Sequence, residues 1–284
     1  MRGIALLNRA QLMYWIFGTL VFLVVDSALA GSVEVFHADS LTGPMKELKN
    51  AFEAKNKDIT INLTPGVSRE LADRILNGDA CDVFAPSSAA VADDLVSKKG
   101  ASWYVVFSAN EMVVITAKGN PLGIREASDL AKPGVKFVRI TGEKDLGTGR
   151  TIDFLKRATA LEGKPELAQK IIDSAIIDPA KPTTVPDTVR AVAGGQANAG
   201  VVYYSAAVTS QKNVDIIRFP TSVNVSEAIR NAATVPTTAK NAKEGTDFVS
   251  FILSAEGKAI LVSAGQPPVV PAIRKGDVPP KVKD

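Results

Sequence analysis

The chain has 284 residues, 46% hydrophobic and 22% charged, with a formal net charge of +3. That near-neutral balance, with no basic stripe, excludes the electrostatic footprint of nucleic-acid binding. The single cysteine, Cys81, excludes an internal disulfide and a cysteine-based metal cluster.

Residues 1–30 read as an export signal. Arg2 and Arg9 form a positive start, Leu12 to Val25 are mostly apolar, and Ser27-Ala28-Leu29-Ala30 offers an Ala-x-Ala cleavage site. The apolar run is short for a membrane span, so cleavage before Gly31 is expected over an uncleaved anchor. No cysteine follows the site to carry a lipid. Removing these thirty residues leaves 254, with 31 basic against 29 acidic side chains. That length suits one large domain or two small ones, and export without disulfides suits a bacterial periplasm.

Strand-like and helix-like segments then alternate, which predicts an α/β architecture with mostly parallel sheets flanked by helices. Val33 to Phe36 leads into His37-Ala38-Asp39-Ser40-Leu41-Thr42-Gly43-Pro44, and Met45, Leu48 and Phe52 follow at helical spacing. Ile59 to Leu63 reads as a strand before a helix opened by Ser68, and Asp82 to Ala85 as a strand ending in Pro86-Ser87-Ser88. Met112 to Thr116 and Val135 to Ile140 are further strands. The glycine-rich stretch Gly142 to Gly149 reads as a loop, with a helix from Arg150 to about Leu161. A helix is predicted from Asp187 or Thr188 to Gly194-Gly195, then strands at Gly200 to Tyr203 and Ile216 to Phe219. Ile176-Ile177 is a candidate strand start, two helices occupy the 247–264 region, and the tail from Pro267 is expected to lie largely at the surface.

Hydroxyl residues recur where strands pass into helices: Ser40, Ser68, Ser87, Thr148 and Thr188 with Val189. A helix start offers unpaired N–H donors and about half a positive charge from its dipole. Any one of these residues is adequately explained as an ordinary cap. Several together, at strand ends that face a common crevice in open α/β sheets, suggest a small anion held by neutral donors.

Six segments carry a family resemblance: Val35 to Thr42, Gly66 to Ala72, Asp82 to Ser87, Lys118 to Ile124, Asp129 to Val135, and Ala199 to Tyr203. In these segments, and in their order and spacing from about Val33 to Pro268, the chain resembles the periplasmic molybdate-binding components of ABC transporters, members of the two-lobed solute-binding proteins. The resemblance implies lobes over residues 31–112 with 225–284, and over 113–224, joined by two crossover segments. It implies an oxyanion, molybdate or tungstate, bound between Ser40, Ser68 and Ser87 on one side and Thr148, Val189 and Tyr203 on the other. It further implies no cofactor, no free metal cation, a monomer, and a partner permease in the inner membrane.

Several residues depart from the family's pattern. His37 and Asp39 stand where small residues are usual, and Pro86-Ser87 replaces a more usual Ser-Ala. Asp39 is expected to turn away from the cleft, since it would repel a dianion, and His37 to be a hydrogen-bonded structural residue. Arg69 and Arg150 stand beside the proposed donors, so contact with the anion is one reading of them; surface or interlobe salt bridging is the one expected. One alternative is a ferric-iron receptor using Tyr203 and Tyr204, although a strand sends neighbours to opposite faces. Another is a phosphoester hydrolase or transferase, which lacks support: there is no Gly-x-Ser-x-Gly elbow, and Thr148 sits where a phosphate loop has its lysine.

Overall fold

The structure, a computed structural model, describes residues 31–178 and 180–283, so the export-signal reading of residues 1–30 lies outside the described residues. β1 (Gly31–Ala38) passes through a 3-10 turn over Asp39–Leu41 into α1 (Thr42–Lys55), whose Pro44, Met45, Leu48 and Phe52 are buried along one stripe. β2 (Ile59–Gly66), α2 (Ser68–Leu76), β3 (Val83–Ala85) and α3 (Ala89–Ser97) follow. β2 and β3 flank β1, both parallel to it. Parallel neighbours need a crossover, and α1 and α2 supply it. The register, Ala38 opposite Gly66 and His37 opposite Ala85, therefore brings three strand ends and the starts of the following helices to one edge.

The chain then continues through β4 (Trp103–Ala109), β5 (Met112–Ala117), β6 (Phe137–Arg139), α4 (Leu146–Leu161), α5 (Leu167–Asp173) and α6 (Val185–Ala193). β7 (Ala199–Tyr203), α7 (Tyr204–Thr209), β8 (Val214–Ile217) and β9 (Arg230–Ala233) come next. α8 (Ala242–Leu253), α9 (Ala255–Ser263) and β10 (Pro268–Gly276) complete the order. The second sheet has the order β10-β4-β9 and the third β6-β7-β5-β8. Parallel pairing holds in the first sheet and between β6 and β7, whereas β4 and β5 pair antiparallel with their neighbours. The reason is connectivity: the chain leaves the first core along β4 and β5 and returns along β9, so outgoing and returning strands run in opposite directions.

Two cores result. One gathers Val113, Ile115, Phe137, Phe154, Leu155 and Val201, all from the segment between Met112 and Ile229. The other gathers Val33, Met45, Phe52, Val105, Phe248 and Ile252, with Phe36, Leu71 and Phe84 packed as a satellite cluster. We call these the first-strand lobe (the β1 side) and the inserted lobe. Where they meet, α1 and α7 approach so closely that a Cβ on Gly43 would collide with Thr209 Oγ1.

One expectation holds in the main and two are corrected here. The tail from Pro267 is largely exposed, as expected, but β10 pairs with β4, and Ala272 and Val282 are buried. It covers an edge of β4 that would otherwise expose unpaired backbone groups. Ile176 and Ile177 are exposed and lie outside any strand. Both helices that follow the inserted lobe's loops begin earlier than the pattern suggests, α4 at Leu146 and α6 at Val185.

Asp82 ties the first-strand lobe together. It is buried, with Oδ2 accepting from the Glu34 backbone N–H at 2.9 Å and Oδ1 from those of Lys240 at 2.8 Å and Asn241 at 2.7 Å. Asp82→Ala would take the shared acceptor from three backbone N–H groups and is expected to destabilise the fold by about 3 kcal/mol, a fall in melting temperature of roughly 6–12 °C. Asp94→Ala, which removes an exposed ion pair with Lys98, is expected to shift it by no more than about 2 °C. Thermal denaturation followed by circular dichroism compares the two.

Candidate functional site

The edge where β1, β2 and β3 end faces the starts of α4 and α6 across a small cavity of about 20 Å³. Its walls include Asp39, Ser40, Ser68 and Ser87 from the first-strand lobe and Asp145, Leu146, Val185 and Tyr203 from the inserted lobe. Ser40 lies in the 3-10 turn between β1 and α1, and Ser68 is the first residue of α2. Ser87 follows β3, and Tyr203 is the last residue of β7. Ser68 Oγ accepts from the Ser87 backbone N–H at 3.1 Å and lies 3.4 Å from Ser87 Oγ. Ser40 is 3% exposed, and its hydroxyl has no hydrogen-bond partner among the described residues, although its backbone oxygen accepts from Ser205 Oγ at 2.6 Å. An orphaned buried hydroxyl is worth about 1–3 kcal/mol of lost solvation, and one that opens on a polar cavity is poised to bond whatever enters.

Four of the six residues expected at an oxyanion site therefore share one cavity: Ser40, Ser68, Ser87 and Tyr203. Thr148 and Val189 do not line it. Thr148 Oγ1 donates to the Gly142 oxygen at 2.8 Å and its backbone N–H to the Asp145 oxygen at 3.2 Å. Val189 sits in the body of α6 and lines a neighbouring groove instead. The physical reason is common to both. Asp145 caps α4, accepting from the Gly147 N–H, and Thr184 with Asp187 forms a capping box at α6. Each helix thus starts about one turn early, and its free first-position N–H belongs to Leu146 or Val185. The caps were visible in the sequence. Gly147 disguised the first: it reads as a loop residue, yet it lies in the first turn of α4, where a Cβ would meet Ile140 Cδ1 at 2.8 Å.

The departures from the family pattern resolve unevenly. His37 is fully buried, its Nδ1 2.9 Å from the Ala38 oxygen, and is not among the cavity-lining residues; burial holds its imidazole below the usual histidine range. Asp39 does not turn away, for it lines both the cavity and the adjacent groove. Arg69 lines an outer cleft near Asp73 and Lys144, while Arg150 reaches in to donate to the Tyr203 hydroxyl at 2.9 Å and to Ser87 Oγ at 3.3 Å rather than forming a salt bridge. Tyr203 and Tyr204 diverge: Tyr204 begins α7 and stacks against Arg218, with the guanidinium 4.5 Å from its ring centroid. Among the described residues no group of three or more His, Cys, Asp or Glu could hold a metal ion, and no helix is long and apolar enough to cross a membrane. Cys81 is buried, and burial pushes its thiol up to about 12.

Two carboxylates give the cavity a negative element. Burial, reinforced by Asp145, Asp187 and Glu70, pushes Asp39 up to about 6, and burial also raises Asp145. Asp39 thus binds its proton more tightly in the folded chain than in the unfolded one, so its contribution to stability is present at low pH and lost as pH rises through 6. Asp39→Asn is expected to raise the melting temperature of the ligand-free chain at pH 7.5, the gain shrinking as pH falls below 6; melts across that range read it out.

Residues 33–266 match the family described as bacterial extracellular solute-binding protein. The chain is 30% identical over 242 residues to the molybdate-binding protein ModA of Mycobacterium tuberculosis, covering 83% of this chain and 84% of that one. Among solved structures, the periplasmic molybdate-binding protein of Azotobacter vinelandii superposes with a TM-score of 0.67 at 18% identity, covering 82% of this chain and 98% of that one. The sulfate-binding protein SubI of Mycobacterium tuberculosis gives 0.67 at 15% identity, covering 85% and 88%. These relatives are solute-binding proteins rather than enzymes, and the two structures share the two-lobed architecture. The chain belongs to the bacterial extracellular solute-binding protein family.

Proposed function

We propose that this chain is the periplasmic receptor of an ABC importer, capturing a tetrahedral oxyanion, molybdate or tungstate, between its lobes and presenting it to a membrane permease. The observation that carries the reading is the orphaned Ser40 hydroxyl, buried in the cavity that Ser68, Ser87 and Tyr203 also line. Hydroxyls at helix starts suit a group that is all acceptor, because each donor is held in place before the anion arrives. The 30%-identical molybdate-binding relative supports the choice of anion. At about 20 Å³ the cavity admits a single water-sized occupant, so a larger anion enters by separation of the lobes about their two crossings, near Asn110 and Asn224. Leu146 and Val185 replace Thr148 and Val189 in the proposed donor set.

Lobe closure around the ligand creates a shape that a permease can distinguish from the open one. Calorimetric titration with molybdate, tungstate, sulfate, phosphate and ferric citrate tests the reading. Molybdate or tungstate is expected to bind most tightly, and binding of ferric citrate alone would refute it. Ser40→Ala with Ser68→Ala removes two bonds to a charged ligand and is expected to weaken binding by about 100-fold or more with folding retained. Asp39→Asn is expected to tighten binding about tenfold at pH 7.5 and to change it little at pH 5, where the wild-type carboxyl is already neutral.

A further inference from the structure

Arg150 is the part of the cleft that the oxyanion reading leaves unused. It lies in the second turn of α4 and is 9% exposed. Its guanidinium makes four hydrogen bonds, all to neutral oxygens. Nη1 donates to the Tyr203 hydroxyl at 2.9 Å and to Ser87 Oγ at 3.3 Å. Nη2 donates to the backbone oxygens of Ser87 at 2.9 Å and of Ala228 at 3.2 Å. A buried cation held by neutral acceptors carries a charge that its own contacts do not cancel. That charge sits directly behind two hydroxyls of the cavity wall.

A guanidinium donates and never accepts. Each hydroxyl it touches must accept from it and keep its own proton for another partner. Ser68 Oγ is constrained in the same sense, since it accepts from the Ser87 backbone N–H. Ser40 has no partner for its hydroxyl among the described residues. The protons of this group are therefore exchanged among Ser68, Ser87 and Tyr203 or directed at the cavity, and none can be spent on Arg150.

We propose that Arg150 is the specificity-setting positioning residue of this site: donating from behind to Ser87 and Tyr203, it holds both hydroxyls as donors toward the ligand, so that the cavity favours fully deprotonated oxyanions over those that retain a proton. The inference rests on the oxyanion reading of the cavity. The same positive charge acts on Asp145, partly countering the effect of burial on that carboxyl. Without the guanidinium the two hydroxyls are free to rotate and accept, which suits a ligand carrying its own proton.

The test is a titration of wild type, Arg150→Lys and Arg150→Met with molybdate, sulfate and inorganic phosphate at about pH 8, where phosphate keeps one proton. Thermal melts check folding in parallel. Arg150→Met is expected to weaken molybdate by about 100-fold and phosphate by less than about tenfold, lowering the ratio of the two affinities at least tenfold. Arg150→Lys keeps a donor-only cation and holds that ratio within about threefold of wild type. A purely structural arginine would weaken both anions alike, so an unchanged ratio in Arg150→Met overturns the inference and leaves the oxyanion site standing. A wild-type chain that binds phosphate but neither molybdate nor sulfate also overturns it, and one that binds none of the three removes the oxyanion reading as well. If Arg150→Met does not melt cooperatively, Tyr203→Phe decides. It deletes one oriented donor with the arginine in place and is expected to lower the same ratio at least threefold; no change counts against the proposal.

Discussion

A guanidinium buried between two lobes constrains everything around it. Arg150 is anchored in α4, yet its bonds reach the loop after β3, the end of β7 and the backbone at Ala228 where the chain returns to its first core. Those three places belong to different parts of the sequence and meet only at the cleft. Because the donor fork is planar and rigid, satisfying it fixes the positions of Ser87, Tyr203 and Ala228 relative to one another. The cleft wall is consequently set by one side chain as much as by the packing of either core. Beside it, Asn110, Ser205 and the Ser40 oxygen form a second polar link across the same boundary.

The electrostatics of the cavity follow from what burial does to each group. Hydroxyls and helix-start N–H groups keep their donor character when desolvated, whereas carboxylates resist ionisation. Asp39 and Asp145 therefore make the cavity's charge depend on pH in a range where serine and tyrosine hydroxyls do not titrate. His37, beside Asp39 in the sequence, takes no part: it is enclosed in the first-strand lobe, and burial favours its neutral form.

Residues 31–76 were the most legible. The apolar stripe of Met45, Leu48 and Phe52 and the strand-to-helix junctions at Ser40 and Ser68 could be placed from spacing and capping chemistry, because both depend on residues near in sequence. The starts of α4 and α6 were misplaced for a reason that is also physical. Gly147 is a poor helix former and reads as loop, yet the Asp145 cap, accepting from its N–H, sets it in the first turn of α4. At α6 the Thr184–Asp187 capping box moved the start to Val185, ahead of the position expected from Thr188. The C-terminal tail was illegible as a strand because its partner, β4, lies some 165 residues earlier, roughly the separation of Pro268 from Trp103.

By itself the sequence determined the alternation of strands and helices, the hydroxyl-rich junctions and the family, since these rest on local periodicity, turn chemistry and ordered motifs. Tertiary structure alone decided which junctions face one another. Ser40, Ser68, Ser87 and Tyr203 converge because parallel register aligns the ends of β1, β2 and β3 and because β7 runs beside β5 into the same cleft. It also decided that Asp39 faces the cavity and that Arg150 stands behind it, two facts that depend on contacts between lobes. No local pattern encodes them, because each is a relation between residues whose separation in the chain has no fixed bearing on their separation in space.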